Sequence, residues 1–427
     1  MNDFYTNVQI QGGKILYRGI EDGRRVNKRV GYSPTLFIAS NKPSKFKTLQ
    51  NEFVEPIELD SISSAREFVN QYEGVQNFKI YGNRRYEYSF ISDKFTSAIE
   101  WNKDHILVCN IDIEVASENG FPTPSAASEI ITAITYKIGK KFMVFGCGVF
   151  KNIRSDVQYI HCQDELDLIQ KFMNEWTSDY PDIITGWNVK FFDVPYLINR
   201  MINLFGENFA KRFSPWNKFS ERTVFVMGRD QTTKTPLGIA VLDYMELYRK
   251  YAPQGNSRES YKLDAICAVE INERKLSYEE YGTLHLLYKH DYQKFIEYNI
   301  RDVELVERLD NKLKLIELAL NLAYDSKTNY EDVFTQVRMW DALTYNRLKS
   351  MNIVVPPNEK GSKPDSYIGG YVKEPQIGLH KWVVSFDLDS LYPHLIMQFS
   401  ISPDSFVPQE NIKNRINLLK KSLNTPK

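Results

Sequence analysis

Histidine and cysteine are scarce in this 427-residue chain, which has 6 of the first and 4 of the second. Cys109, Cys147, Cys162 and Cys267 stand far apart and none forms a C-x-x-C pair, so neither a zinc knuckle nor a redox dithiol is encoded. The thiols read as reduced and intracellular. No run reaches the roughly 18 uninterrupted apolar residues that a membrane span requires, and Met1–Gly13 lacks the apolar core of a signal peptide. The expectation is a cytoplasmic chain with no membrane partner. Net charge is missing as well: 54 Lys+Arg balance 54 Asp+Glu, so contact with a polyanion has to come from locally segregated charge. With 21 Gly, 18 Pro and no repeat or low-complexity linker, the collagen-like and disordered classes are excluded. Aromatic residues are what the chain has in abundance. Its 26 Tyr and 25 Phe bring aromatics to 13%, enough for large cores and for surfaces on which bases stack.

The length suits two or three domains, and their boundaries are read from changes of pattern. Over residues 1–100, β-rich runs (Asn7–Ile10, Lys14–Arg18, Thr35–Ile38, Tyr86–Ser92) alternate with polar turns and one helical stretch near Ser64–Tyr72. That predicts a small β-rich N-terminal domain. Its basic clusters, Arg24–Arg29 and Lys42, Lys45, Lys47, read as solvated faces more readily than as phosphate contacts. From His105 the pattern becomes α/β. Strands are expected at Ile106–Val115, Glu129–Ile138 and Lys141–Phe150, then a helix over Glu165–Trp176, a short buried run Pro181–Trp187 and a helix starting near Asp193. Between Thr223 and Asp243 two β-like runs flank a polar segment, Gly228–Gly238, expected to be the tip of an extended hairpin. Asp291 to about Tyr324 has helical spacing, further helical sequence runs to about Lys349, and Pro356–Asp365 leads to an expected strand, Trp382–Asp387.

Asp112 and Glu114 close the first of these strands. Residues two apart in a strand share a face, so two carboxylates project together at a sheet edge, an arrangement costly without a cation between them. Alone, such a pair reads as a solvated strand end. In the same way, Asp193 after Asn188-x3-Phe192 reads as a helix N-cap, and Asp302 as a surface residue. Tyr298 and Asp302, however, lie four apart on one helical face. Three acidic elements in this order and at these spacings form a specific signal.

Asp112-x-Glu114, Asn188-x3-Phe192-Asp193 and Tyr298-x3-Asp302 resemble the three motifs of the DEDDy 3′–5′ exonucleases found in family B DNA polymerases, most closely those of the T-even phage type. Val115, where many relatives have Thr, is a departure shared with that phage subfamily. The resemblance implies a ribonuclease H-like α/β fold with a mixed central sheet, whose acids hold two divalent metal ions, Mg²⁺ or else Mn²⁺. Hard carboxylate oxygens suit such ions, and two-metal hydrolysis both activates water and stabilises the leaving 3′ oxygen. By the same resemblance Asp112 bridges both ions, Glu114 and Asp302 complete the nucleophile side, Asp193 serves the leaving-group side, and Tyr298 orients the attacking water. Asn188 and Phe192 are expected to touch the substrate strand.

A second resemblance begins at Tyr367-Ile368-Gly369-Gly370, which is similar to the Tyr-x-Gly-Gly element between exonuclease and polymerase parts; its paired glycines let the backbone approach a template closely. Asp387-Leu388-Asp389-Ser390-Leu391-Tyr392-Pro393 resembles polymerase motif A, with Asp387 as a metal ligand and Tyr392 placed to reject a ribose 2′-hydroxyl. His394 stands where relatives often have Ser, and Asp389 adds an acid inside the motif. Beyond motif A the sequence holds neither a K-x3-N-S-x-Y-G nor a Y-G-D-T-D-S element. The expectation is the N-terminal half of a polymerase, either cut from a longer chain or completed by a second polypeptide against the apolar face of Ile412, Ile416, Leu419 and Leu423, amid Lys413, Arg415, Lys420, Lys421 and Lys427. The expected division is an N-terminal domain 1–103, an exonuclease domain 104–325, a helical segment 326–360 returning to the N-terminal domain, and a partial α+β palm 361–427. Expected partners are single-stranded and primer–template DNA, with a sliding clamp as a further partner, in the cytoplasm of a bacterial host if phage-encoded. Two other functions fit less of the sequence: a stand-alone maintenance exonuclease, which has no use for motif A, and a nucleic-acid-binding regulatory chain, which has no use for four cation-seeking acids.

Overall fold

The computed structural model describes residues 3–118, 120, 122–226, 229–252, 260–357, 369–405, 407, 412 and 416. Two tight turns start the chain. Gly12-Gly13 (φ 53° and 76°) and Asp22-Gly23 (φ 49° and 73°) have positive φ at both positions, as a two-residue type I′ hairpin turn requires. They fold β1 (Phe4–Gln11), β2 (Lys14–Glu21) and β3 (Arg24–Val30) into an antiparallel meander. A second sheet, in the order β5-β6-β4-β7, is built from β4 (Thr35–Ala39), β5 (Phe46–Lys47), β6 (Phe53–Glu58) and β7 (Ile80–Tyr81). Helix α1 (Ile62–Tyr72) is capped by Ser61, whose side chain accepts from the Ser64 N–H. Tyr86–Ser92, expected as a strand, lies in helix α2 (Tyr86–Lys94). Its Tyr86, Tyr88, Ser89, Phe90, Ile91 and Ser92 are all buried, so its β-forming aromatics are absorbed on several sides of a helix and no face is legible in the sequence.

The second region is built on a six-stranded mixed sheet of order β11-β10-β9-β8-β12-β15, from β8 (Val108–Val115), β9 (Ile131–Ile138), β10 (Lys141–Gly146), β11 (Val157–His161), β12 (Ile183–Thr185) and β15 (Ala240–Val241). β8, β9 and β10 are antiparallel neighbours, whereas β11, β12 and β15 join in parallel. Helices α3 (Glu165–Ser178) and α4 (Asp193–Phe205) cover one face, where Ile111, Ile113, Phe172, Trp176 and Leu197 share a core. Short α5 (Glu207–Lys211) follows α4. The other face packs on α9 (Tyr292–Leu313) through Phe142, Val144, Phe295 and Ile300.

Three expectations change here. The strand expected to run to Phe150 ends at Gly146, and β11 appears after a loop. The polar segment 228–238 is mostly strand: β13 (Phe219–Val226) pairs residue for residue with β14 (Arg229–Pro236), so the ribbon is longer than expected, and residues 227–228 between them lie outside the described residues. The helix expected over Asp291–Tyr324 breaks at Lys314, which adopts φ 55°, into α9 and α10 (Leu315–Ser326). Helices α6 (Tyr244–Tyr251), α7 (Leu263–Glu270) and α8 (Leu284–His290) span only 8, 8 and 7 residues, too few for a clear period.

Asp182 ties the N-terminal meander to this region. Its carboxylate takes Arg25 at 2.6 Å and the Leu107 N–H at 2.9 Å, while Arg18 donates to the carbonyls of Pro181 (2.9 Å) and Gly238 (2.6 Å). Arg25 is thus spent on an internal joint. After α11 (Gln336–Ser350) the chain returns to the second sheet, with Val354 N–H donating to Lys47 and Gly82 N–H to Val355. Among the described residues no helix is long and apolar enough to cross a membrane.

The chain divides into two compact units, residues 1–359 and 360–427. In the second, α12 (Leu391–Gln398) carries the end of the motif A sequence. Trp382–Asp387, expected as a strand, forms none, and Trp382 and Phe386 are 97% and 92% exposed. A strand is half of a ladder, and the described residues of this unit contain no second strand to pair with it.

Candidate active site

β12 accompanies β8 only from Val108 to Asn110. Past that point β8 has β9 alone, so its outer side is locally an edge although the strand lies inside the sheet. The Ile113 N–H, left without a strand partner, donates to Asp193 Oδ1 at 3.0 Å. Asp193 is therefore the first residue of α4 and not its N-cap, a position held by Phe192. On the same stretch, Asp112 and Glu114 meet Asp302 from α9, and oxygens of the three carboxylates lie within 4.8 Å of one another. Asp302 is buried and not a surface residue. Asn299, on the same helix, donates to Asp112 Oδ2 at 2.6 Å. Lys275 reaches in from the segment after α7, donating to Asp302 Oδ2 and, at 2.9 Å, to the Tyr298 hydroxyl.

So many acids in one dry place resist ionisation. Burial, then the charge of Asp302, pushes Glu114 up to about 8. Burial pushes Asp193 up to about 7 despite its bond from Ile113, with Asp243 and Asp302 adding repulsion. Asp112 is raised by burial and by the charges of Glu114, Asp302 and Asp193; Asp302 is raised by burial and relieved by Lys275. Burial opposes the Lys275 charge, yet Asp302, Tyr298 and Asp112 hold the ammonium well above the usual lysine value. Asp302 Oδ1 is buried without a hydrogen-bond partner. Converging hard oxygens, raised carboxyls and an orphaned carboxylate oxygen together fit a divalent cation.

The loop carrying the second acidic element is clamped from below. Gly186 has φ 153°, and a Cβ there would lie 2.5 Å from the Ile111 carbonyl, so only glycine lets the loop pass this close to β8. Asp243, fully buried, takes the N–H groups of Asn188 (3.3 Å) and Lys190 (3.0 Å) while capping α6. Asn188 is held at φ 67°, and the partly buried Phe192 stacks on Tyr196 at 5.6 Å. Asp243, Asn299 and Lys275 join the site only in the folded structure. Asp243-x-x-Glu246 does have the form of a capping box, and Asn299 lies inside the third motif, but nothing marks Lys275.

The remaining expected site residues belong to the second unit. Tyr367 lies outside the described residues. Gly369, Gly370, Asp387 and Tyr392 are exposed, and a Cβ on Gly370 would lie 3.7 Å from the Tyr392 hydroxyl.

Residues 67–266 match the family described as DNA polymerase family B, exonuclease domain, and residues 335–425 match DNA polymerase family B. The chain is 33% identical to the DNA-directed DNA polymerase of Escherichia phage RB69, over 95% of this chain and 48% of the phage protein. It is 31% identical to that of Enterobacteria phage T4, over 95% and 47%. A DNA polymerase catalytic subunit of Psittacid herpesvirus 1 shares 25% identity over 70% of this chain and 30% of its own length. The chain spans about half the length of the phage proteins it matches.

Proposed function

Because the chain belongs to the family B DNA polymerases, of which it carries the exonuclease domain and the start of the polymerase domain, we propose that it is the 3′–5′ proofreading part of a replicative polymerase, releasing deoxynucleoside monophosphates from the 3′ end of DNA. The observation that carries this reading is the convergence of Asp112, Glu114 and Asp302 within 4.8 Å, with Asp193 on the adjoining edge. The four acids are the proposed ligands of two Mg²⁺ ions, which when bound supply an acidified water and a stabilised leaving oxygen. In this reading Asp112, Glu114 and Asp302 would hold one ion together, and Asp193, one oxygen of which accepts from the Ile113 N–H, would serve the leaving-group side. Lys275 donates to the Tyr298 oxygen, which leaves the phenol O–H free to donate to the attacking water. Phe192 and Asn188 are the proposed contacts of the terminal nucleotide.

Asp387 and Tyr392 are the proposed beginnings of a polymerase site, with Tyr367, Gly369 and Gly370 on the template side. Synthesis then needs the second carboxylate from a further polypeptide or further chain. We propose the division 1–103, 104–325, 326–360 and 361–427, with primer–template DNA and a sliding clamp as partners and the cytoplasm of a bacterial host as location. The test is degradation of a 5′-labelled single strand by the purified chain. Mononucleotide release in Mg²⁺ that chelation stops is expected; none in Mg²⁺ or Mn²⁺ would overturn the reading.

A further inference from the structure

Four residues beyond Glu114, the chain leaving β8 is fastened to α8 by one carboxylate. Glu118 accepts from Lys289 Nζ at 2.7 Å, and its Oε1 lies 3.0 Å from His285 Nε2. His285 and Lys289 are one turn apart and point the same way. An exposed ion pair adds little to stability, so stability does not account for a lysine and a histidine converging on a half-exposed acid. Nor is the arrangement complete. Only 12% of the His285 side chain is exposed, yet neither ring nitrogen makes a well-aligned hydrogen bond within the protein. A mostly buried imidazole, poorly aligned on a surface carboxylate that a lysine also holds, is what a site for a larger oxyanion looks like when a side chain stands in for it.

The position gives the anion its identity. Four residues of chain reach at most about 14 Å, so the backbone of Glu118, on which His285 and Lys289 converge, lies within that distance of the backbone of Glu114. Helix α8 is fixed there: Leu287 is buried in one core with Phe295, Tyr298 and Ile300, and Tyr288 meets Phe295 edge to face at 5.1 Å. A strand whose terminal phosphodiester reached the acids would bring its next phosphates upstream within range of this rim.

We propose that His285 and Lys289 form a backbone-phosphate site for the strand entering the exonuclease site, and that Glu118 is a displaceable stand-in for that phosphate. The inference rests on the exonuclease reading for its ligand, but its test does not need catalysis. Binding of a 5′-fluorescent thymidine oligonucleotide of about eight residues is measured by anisotropy in chelator, beside a dinucleotide too short to reach the rim. Lys289→Ala should weaken binding of the longer strand about 3–10-fold and lower its salt dependence by about one charge. Glu118→Gln, which removes the competing negative charge, should tighten it by a similar factor, and neither change should alter dinucleotide binding. Failure of the wild-type chain to bind the longer strand overturns the proposal, as does Glu118→Gln leaving affinity unchanged or lower, or Lys289→Ala weakening both ligands alike. A wild-type chain that binds the strand but never cuts it in Mg²⁺ would instead sink the exonuclease reading.

Discussion

Asp302 faces charges of both signs, and this separates the acids by what their removal does. Asp112→Ala and Asp302→Ala should each lower exonuclease activity at least about a thousandfold, measured as mononucleotide release in Mg²⁺. Their stabilities should differ. Losing Asp112 relieves repulsion and should leave the metal-free melting temperature unchanged or higher. Losing Asp302 strands the Lys275 ammonium, 27% exposed, and should cost about 1–3 kcal/mol in urea unfolding. Tyr298→Phe removes one hydroxyl and no charge, so a loss of about tenfold is expected; a loss as deep as that of the Asp variants would reject its water-orienting role. The raised carboxyls also predict a pH dependence. Between about pH 4 and 8 the folded protein binds more protons at Glu114 and Asp193 than the unfolded chain does, so the metal-free melting temperature should fall by a few degrees across that window. Excess Mg²⁺ should shrink the fall, because a bound cation favours the ionised acids. A metal-free melting temperature that rises with pH would contradict this.

Among elements, the loop before α4 depends on a residue from another part of the sequence. Asp243 satisfies two of its N–H groups and two more at the start of α6. Asp243→Ala should destabilise the protein by about 2–3 kcal/mol and weaken catalysis through misplacement of Asp193, whereas Asp243→Asn, which keeps one acceptor oxygen, should be milder. Equal unfolding midpoints for the Ala variant and the wild type would refute the clamp. The β13–β14 ribbon forms a two-stranded sheet of its own and is braced on α4 where Lys234 donates to Asn199 at 3.0 Å. We propose that it helps to separate a primer end from its template. Shortening it by two residue pairs should slow excision from duplex ends several-fold more than from single strands, and equal slowing would reject that role.

For the whole molecule, the prediction concerns synthesis. Nucleotidyl transfer needs two metals, and of the expected palm carboxylates these 427 residues supply Asp387. The chain by itself should not extend a primer. Extension should appear when a polypeptide bearing the N-S-x-Y-G and D-T-D-S elements is added, and disappear again with Asp387→Ala. Extension by the chain alone, or partner-dependent extension that survives Asp387→Ala, would refute the assignment.

The strands around Asp112 and the long helix bearing Tyr298 and Asp302 were legible because their periods are regular and their motifs span only a few residues. So was the pairing of Asp112 with Glu114, which needs only the alternation of a strand. Tyr86–Ser92 points to a strand although its alternation of aromatic and polar residues belongs to a helix buried on several sides, and the pattern runs on across Lys314 because no glycine or proline announces the break. Local pattern carries no record of contacts made across the chain. That Ile113 needs Asp193, that Asp243 holds Asn188 and that Lys275 neutralises Asp302 are matters of side chains 80, 55 and 27 residues apart. The sequence by itself therefore determined which acids are present and on which elements. Only the tertiary structure decided that three of them converge, that burial raises their affinity for protons, and that a lysine stands among them, because charge, distance and desolvation are properties of the packed site and not of any segment of it.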